Sequence, residues 1–217
     1  MIILSRNEIR AEIEKAIRGA GANWGQAKDG GVMAAYLAGH GLPFLGTVTR
    51  CLDGYDSQAE TDHLIAPLNG IMTAEYVAGT AQPWSGPVMA IRFLVAAMGI
   101  VADEQETSLC LYDDAGVLAY AEGAELFIRS HSLEGGLAHS LEGGLAHSLE
   151  GGDRRLRLTA EACATDQLDQ CPWLQDTAVH ASSKCWQKLG SYAFKTYVKE
   201  TEEKRRAGAG AGDIDNS

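Results

Sequence analysis

The sequence predicts a single α+β domain, in which an antiparallel sheet packs against N-terminal helices and a long C-terminal helix. Helical periodicity dominates both ends of the chain, whereas short strands are grouped between residues 108 and 162. Such segregation of helices and hairpins is typical of the α+β class. The length of 217 residues, with 46% hydrophobic and 22% charged residues, suits one folded domain spanning 1–217.

Helix signals are clearest at the N-terminus. Ser5 and Glu8 have the spacing of a capping box, and the helix that they begin is expected to cover about 6–18 and to end at a glycine pair. A second helix is predicted to begin at Trp24 and to be stopped by Gly39 and Gly41, and a shorter one is predicted over 44–52.

The middle of the chain is predicted as irregular structure followed by strands. Residues 53–87 contain turn residues and three prolines, so we expect this stretch to be mostly irregular. The apolar stretch 88–101 fits either a strand or a buried helix, and periodicity does not decide between them. Alternation predicts strands at 108–112, 117–121, 125–129 and 155–162. A C-terminal helix is predicted over 182–204, with a buried stripe of Trp186, Leu189, Ala193 and Tyr197.

An eight-residue unit recurs almost three times in HSLEGGLAHSLEGGLAHSLEGG, residues 131–152. In a helix this period advances by about 80° beyond two full turns, so the histidines would not converge on a metal. In hairpins with Gly-Gly turns, leucine and glutamate would occupy both faces, and no apolar face would form. We therefore interpret the repeat as a recent tandem duplication, inserted as a loop at the tip of a hairpin between strands 125–129 and 155–162.

The charge and composition of the chain argue against some classes of binding partner. The net charge of −11 argues against a broad nucleic-acid surface and against attraction to anionic membranes. The longest apolar run, 93–102, is about half a membrane span, and the first residues do not resemble a signal peptide. Five cysteines without a CxxC pair predict reduced thiols, so we place the protein in a bacterial-type cytoplasm. No motif indicates a metal, and the sequence identifies no cofactor.

Three histidines stand out, although each is isolated. His40 lies between two glycines directly after the second predicted helix, while His63 and His180 are placed where they would serve as bases. Histidines of this kind are most often structural or simply exposed.

The C-terminal stretch YVKETEEKRRAGAGAGDIDNS joins a helix end to alternating glycine and alanine. One interpretation is a frayed helix end followed by a flexible tail. The other is a backbone nest, in which successive N–H groups bind an anion, with the guanidinium groups of Arg205 and Arg206 beside it.

Both ends of the chain resemble an uncharacterised bacterial family, whose members pair an N-terminal NEI…KAARGAG…WG with a C-terminal TYVP.TE.SR..GAGAG..DND. The likeness in the N-terminal segment is carried by Asn7, Glu8, Arg18, Gly19, Gly21, Trp24 and Gly25. In the C-terminal segment it is carried by Thr196, Tyr197, Glu202, Arg205, Gly208, Gly210, Gly212, Asp215 and Asn216. Lys199 stands where the family has proline, and Ser217 stands where it ends in aspartate. The resemblance implies candidate positions but no activity.

Two functions are consistent with these patterns. The first is a small-molecule site, for binding or for catalysis, where the N-terminal GAG..WG and the C-terminal GAGAG segments meet. Arg205 would hold a carboxylate or phosphate there, and Glu202 or Asp215 would act as the base or as a ligand. The remaining candidate ligand-binding residues are Arg18, Trp24, Gly208, Gly210 and Gly212.

The second function is that of a non-catalytic, homo-oligomeric accessory or structural protein. In that case the C-terminal helix would pair with its copy in a homodimer, through Trp186, Tyr192 and Tyr197. The sequence does not decide between an enzyme and a binding protein.

Deletion of two eight-residue units from 131–152 is expected to leave the melting temperature within about 2 °C of that of the full chain. The reason is that the entropy of loop closure rises only logarithmically with loop length. Differential scanning calorimetry and light scattering measure the two relevant quantities, the melting temperature and the oligomeric state. A large loss of stability would show that the repeat is part of the folded core.

Overall fold

A computed structural model of the chain describes residues 1–56, 69–87, 90–129, 155–174 and 178–196. The helices in these ranges are α1 (Arg6–Gly19), α2 (Trp24–Gly39), α3 (Leu45–Asp56), α4 (Gly70–Thr80), α5 (Ile91–Glu104) and α6 (Ser183–Phe194). The strands are β1 (Ile2–Leu4), β2 (Trp84–Pro87), β3 (Ser108–Asp113), β4 (Gly116–Glu122), β5 (Glu125–Ile128), β6 (Arg155–Thr159), β7 (Asp169–Gln170) and β8 (Val179–Ala181).

The predicted α+β class is confirmed by two antiparallel sheets that pack with these helices. The larger sheet has the strand order β2-β6-β3-β4-β5-β7. The smaller sheet consists of β1 and β8, with Ile3 opposite His180. Asp113 begins the predicted turn between β3 and β4, where its side chain accepts a hydrogen bond from the backbone N–H of Ala115 at 2.9 Å. Asp113 also forms a 2.6 Å ion pair with Arg129, which fixes the end of β5 beside this turn.

The ambiguous apolar stretch forms α5, which is buried on all of its sides. Every residue from Phe93 to Ala102 is buried. Helices α2 and α4 pack on this helix, and β3, β4 and β5 also contact it. A helix that is covered in this way has no polar face, and this explains why its periodicity was uninformative. No helix in the described ranges combines the length and the apolar content that a membrane crossing requires.

The predicted N-terminal helices are confirmed with their caps. The hydroxyl oxygen of Ser5 accepts from the backbone N–H of Glu8, and the Glu8 carboxylate accepts from the backbone N–H of Ser5. A second capping box, between Asn23 and Gln26, begins α2. Between the two helices, Gly21 has a φ of +111°, a conformation that favours glycine.

The prediction that 53–87 is mostly irregular is wrong where the structure describes this stretch. Residues 70–80 form α4, and 84–87 form β2, which pairs with β6. Helix α4 contains glycine and threonine and begins without a side-chain cap, so its local signals are weak. It is held instead by packing, since Gly70 lies close to Ala97 of α5.

The predicted hairpin between 125–129 and 155–162 is also wrong. Strand β6 pairs with β3 and β2, whereas β5 pairs with β4 and β7. The chain between β5 and β6 therefore connects strands that lie on either side of the β3–β4 hairpin, three strand spacings or about 14 Å apart. The repeat at 131–152 lies in this connection, outside the described residues. Even without two repeat units, the nine remaining residues of 130–154 are long enough for this separation.

The C-terminal helix is described only over Ser183–Phe194, and a turn follows at 195–196. The predicted extension to residue 204, with Tyr197, lies outside the described residues. Leu189 and Ala193 are buried as predicted.

A close contact between α1 and α6 explains one glycine of the N-terminal motif. A Cβ atom added to Gly19 would lie only 1.9 Å from the carbonyl oxygen of Tyr192. No side chain fits there, so glycine allows the backbones of the two helices to approach each other. Gly79 of α4 is a useful contrast, because nothing lies within 4 Å of its added Cβ.

Replacement of Gly19 by alanine is expected to destabilise the protein by roughly 3 kcal/mol, because α6 must move away from α1. The matched change Gly79→Ala, at an open helical position, is expected to stabilise it by roughly 0.5 to 1 kcal/mol. Urea denaturation followed by circular dichroism measures both effects. Equal stabilities of the two variants would contradict the close contact.

Candidate functional site

Arg18 and Trp24 form a stacked pair at the turn between α1 and α2. The guanidinium carbon of Arg18 lies 4.8 Å from the centroid of the Trp24 ring. Its Nη1 donates a hydrogen bond of 2.5 Å to the carbonyl oxygen of Ala22. Trp24 is 69% exposed, so this pair presents a cation and an aromatic face at the surface. Both residues were predicted from the sequence, and the structure brings them into contact.

The glycines of the GAG segment are explained by the fold. Gly19 admits the backbone of α6, and Gly21 adopts the left-handed conformation of the turn. The segment ends a helix, as predicted, and it does not have the setting of a phosphate-binding loop, which follows a strand.

The described end of α6 lies next to this turn. The Tyr192 carbonyl group contacts Gly19, directly after Arg18 in the chain. Thr196, four residues beyond Tyr192, is the last residue that the structure describes before the C-terminal stretch. The other predicted site residues lie outside the described residues; they are Glu202, Arg205, Gly208, Gly210, Gly212 and Asp215.

The apolar stripe of α6, which the homodimer hypothesis uses, packs within the chain. Tyr192 is only 6% exposed and belongs to the core, and Trp186 is partly buried against that core. Helix α6 instead exposes Phe194, which is 72% accessible. A dimer through this helix would therefore have to use Phe194 rather than Tyr192.

A second group of side chains surrounds His40 at the opposite end of α2. The His40 ring lies 4.6 Å from the ring of Tyr36 and 5.0 Å from that of Trp173, measured between centroids. Nδ1 of His40 lies 2.7 Å from the carbonyl oxygen of Cys171. Because a carbonyl oxygen only accepts hydrogen bonds, Nδ1 carries the proton and donates it.

The remaining ring nitrogen of His40 is buried without a described partner. His40 is 5% exposed, and Nε2 makes no hydrogen bond with the described residues. Burial lowers the pKa of His40, although hydrogen bonding of the ring to the backbone of Cys171 and of Pro172 acts in the opposite direction. The imidazole is therefore neutral at neutral pH, and Nε2 presents a lone pair.

Residues 171–174, which we call the cover segment, close this group against α2. The backbone N–H of Leu174 donates to the carbonyl oxygen of Gly39 at 2.8 Å. A Cβ atom added to Gly39 would lie 2.5 Å from the Trp173 ring, so the indole packs directly on the helix backbone. Arg6 lies over the same indole at 4.7 Å and donates to the Leu174 carbonyl at 3.1 Å.

Burial also shifts the pKa values of the neighbouring groups. It is the main cause of the raised pKa of Tyr36, to which the charge of Asp103 adds. Burial likewise raises the pKa of the Cys171 thiol to about 11. Both groups are thus neutral at neutral pH.

Sequence reasoning selected His40 from its position between two glycines, but it missed its partners in the cover segment. No local signal links residues 171–174 to a helix more than 130 residues earlier. His180, another histidine noted in the sequence, lies exposed in β8, and His63 lies outside the described residues. No cluster of three or more metal-ligating side chains occurs in the described ranges.

Acidification is expected to destabilise the protein through His40. The unfolded chain binds a proton at this residue near its ordinary pKa of 6.5, whereas the fold lowers the pKa. The contribution of neutral His40 is therefore complete above about pH 6.5 and is lost as the pH falls towards the folded pKa. In His40→Asn, the stability curve should be flatter between about pH 6.5 and 5 than in the native chain.

The control is His180→Gln, which replaces an exposed histidine on β8. Thermal denaturation across this pH range should show the native slope for the control. If His40→Asn also retained that slope, His40 would not be the group responsible.

Comparison with known families finds a match over the N-terminal part of the chain. Residues 4–70 match a family described as "Protein of unknown function (DUF3726)". The match includes Arg18, Trp24 and His40 but covers less than half of the chain, and the C-terminal GAGAG segment lies outside it. No curated protein and no solved structure matches the chain. Over its N-terminal helices, the chain is thus similar to an uncharacterised family.

Proposed function

We propose that the protein binds, or acts on, a small anionic ligand at the turn between α1 and α2. Arg18 and Trp24 form one side of the proposed site, and the C-terminal GAGAG segment with Arg205 forms the other. Arg205 holds the carboxylate or phosphate of the ligand. Glu202 or Asp215 serves as the base or as a further ligand-binding group.

The observation that carries this proposal is the contact between Gly19 and the Tyr192 carbonyl. It fixes the end of α6 beside the residue that follows Arg18. Arg205 is nine residues beyond Thr196, so an extended chain covers about 30 Å from there. The turn between α1 and α2 lies within this distance of Thr196, because the described end of α6 lies next to that turn.

The stacked pair suits one side of an anion site. Its contacts with Trp24 and with the Ala22 carbonyl hold the guanidinium of Arg18 in one orientation, which reduces the entropy lost when a ligand binds. Alternating glycines allow successive backbone N–H groups to point at one anion. The guanidinium of Arg18 and these N–H groups together supply a local positive potential in a chain whose net charge is −11.

The rival hypothesis, a homo-oligomeric accessory protein, is supported by one observation. Phe194 is 72% exposed on α6, next to the buried Tyr192. Light scattering distinguishes the two functions, because pairing through α6 produces a dimer, whereas the ligand site does not require a dimer.

The free cysteines of the described ranges are consistent with the proposed cytoplasmic location.

Arg205→Ala is expected to abolish the rise in melting temperature that inorganic phosphate produces in the native chain. A ligand that binds only the folded state raises its stability by RT ln(1 + L/Kd), where L is the ligand concentration, and loss of Arg205 removes the main charge contact. Differential scanning fluorimetry with phosphate at about 10 mM measures the effect, with the same ionic strength of chloride as reference.

The matched control is Lys184→Ala, which removes one positive charge at the far end of α6. It should respond to phosphate like the native chain. An unchanged phosphate response in Arg205→Ala, or an equal loss in both variants, would refute the proposed site.

A further inference from the structure

Two cysteine side chains meet on the face of the larger sheet that is opposite to the hydrophobic core. Leu109 and Leu111 of β3 belong to that core, and side chains alternate along a strand, so Cys110 points to the other face. Cys110 is nevertheless 0% exposed. Its thiol is in hydrogen-bonding contact with the side chain of Cys163, which follows β6 in the chain and is partly exposed.

The hydrogen bonds of Glu161 explain why Cys163 lies there. The chain bends at residues 160–161, directly after β6. The Glu161 carboxylate accepts from the hydroxyl group of Tyr112 on β3 at 2.8 Å and from that of Thr159 on β6 at 2.9 Å. These two hydrogen bonds hold the bend against β3. Cys163 is only two residues further along, so the bend returns it to the face of the sheet on which Cys110 lies.

The two thiols differ in their surroundings and therefore in their reactivity. Burial raises the pKa of Cys110 to about 12; the contact with Cys163 acts in the same direction, and that with Tyr112 acts against it. Cys110 is thus a neutral thiol at neutral pH. Oxidants react with thiolates that they can reach, and of these two cysteines Cys163 is the one that solvent contacts.

We propose that Cys163 and Cys110 form an oxidation site for hydrogen peroxide, which converts the pair reversibly into a disulfide. Cys163 is the cysteine that reacts with peroxide, and Cys110 is the cysteine that resolves the product. The site uses no residue of the anion site proposed above, so the two proposals stand or fall separately.

The reaction has two steps. The Cys163 thiolate attacks one oxygen of the peroxide, the O–O bond breaks, and the hydroxide that leaves takes up the proton that Cys163 had released. The sulfur of Cys110 then attacks the Cys163 sulfenic acid, the S–O bond breaks, and the leaving hydroxide takes the Cys110 proton as a second water. Two thiols are oxidised by two electrons to one disulfide, and one peroxide is reduced to two waters.

The contact between the two thiols determines the product. A sulfenic acid without a neighbouring thiol is open to further oxidation to sulfinic acid, which thiol reductants do not reverse. Cys110 already lies beside the reacting sulfur, so closure of the disulfide competes well with a second peroxide. Cys185 is a suitable comparison, because it is also partly exposed but lies on α6, which packs on α1 and α3.

The test treats the full, folded chain with a small molar excess of hydrogen peroxide. Free thiols are then blocked with N-ethylmaleimide, and the protein is digested with trypsin and endoproteinase Asp-N for mass spectrometry. Cleavage at Arg157 separates Cys163 from Cys110, and cleavage at Asp166 separates it from Cys171. We expect a Cys110–Cys163 disulfide as the main product, and its loss with dithiothreitol. Absence of this disulfide, or another pair as the main product, would overturn the proposal.

The same treatment in guanidinium chloride is the control for the fold. There the contact between the two thiols is lost, and the disulfides should be distributed over several cysteine pairs. An equal preference for Cys110 and Cys163 in the unfolded chain would show that the pairing does not come from the structure. This comparison needs no variant, so it decides the question even where a substitution prevents folding.

Three variants test the assigned roles. Dimedone, which traps sulfenic acids, should label Cys163 in Cys110→Ser at least about tenfold more than it labels Cys110 in Cys163→Ser. The matched control Cys185→Ser should form the disulfide with the native yield. Equal labelling of the first two variants, or loss of the disulfide in the control, would contradict the roles given to Cys163 and Cys110.

Discussion

The fold depends on the complete burial of α5. Its eleven buried residues form the centre of the core, and burial of each large apolar side chain contributes about 1.5 to 3 kcal/mol relative to exposure. Such a helix requires cover on every side, which the sheet and the helices α2 and α4 supply. The hydroxyl group of Tyr36 lies so close to Gly99 that no Cβ atom would fit there. This contact fixes the rotation of α2 about its own axis.

Because α2 is held against α5, its two ends are fixed points on the surface. The helix has 16 residues and is therefore about 24 Å long. Trp24 begins it and His40 follows its last residue, so the two candidate sites are separated by its whole length. Each end is completed by a segment from much later in the chain. Helix α6 contacts Gly19, at the turn that precedes Trp24, and the cover segment closes over His40.

The elements that were predicted correctly are those with local signals. The capping box at Ser5 and Glu8 defined α1, and alternation with a turn at Asp113 defined β3 and β4. Helix α4 was missed because its stability comes from Gly70 packing on α5, which no local pattern reveals. The pairing of β6 with β3 was also missed, since proximity to β5 in the sequence does not reveal which strand is the neighbour of β6 in the sheet.

The same limit applies to the candidate sites. Arg18 and Trp24 are six residues apart and were both selected from the sequence, whereas the partners of His40 were not. The cover segment is too short for periodicity, and β7 before it has only two residues. Its contacts with Gly39 and Arg6 depend on tertiary packing alone. The sequence therefore drew attention to His40 but did not reveal its unusual chemical feature. That feature is the buried Nε2 atom, which makes no hydrogen bond with the described residues.

The proposed anion site at the turn between α1 and α2 has to act against the charge of the whole chain. The net charge is −11, which at long range repels the anion that this site would bind. At physiological ionic strength, however, charges more than about 8 Å apart are largely screened, so the local cation decides the outcome. The described cation at this turn is Arg18, which stacks on Trp24 at 4.8 Å, as Arg6 stacks on Trp173 at 4.7 Å elsewhere in the fold. Stacking fixes the plane of the guanidinium and leaves its edge for hydrogen bonds, an arrangement that a lysine ammonium cannot reproduce.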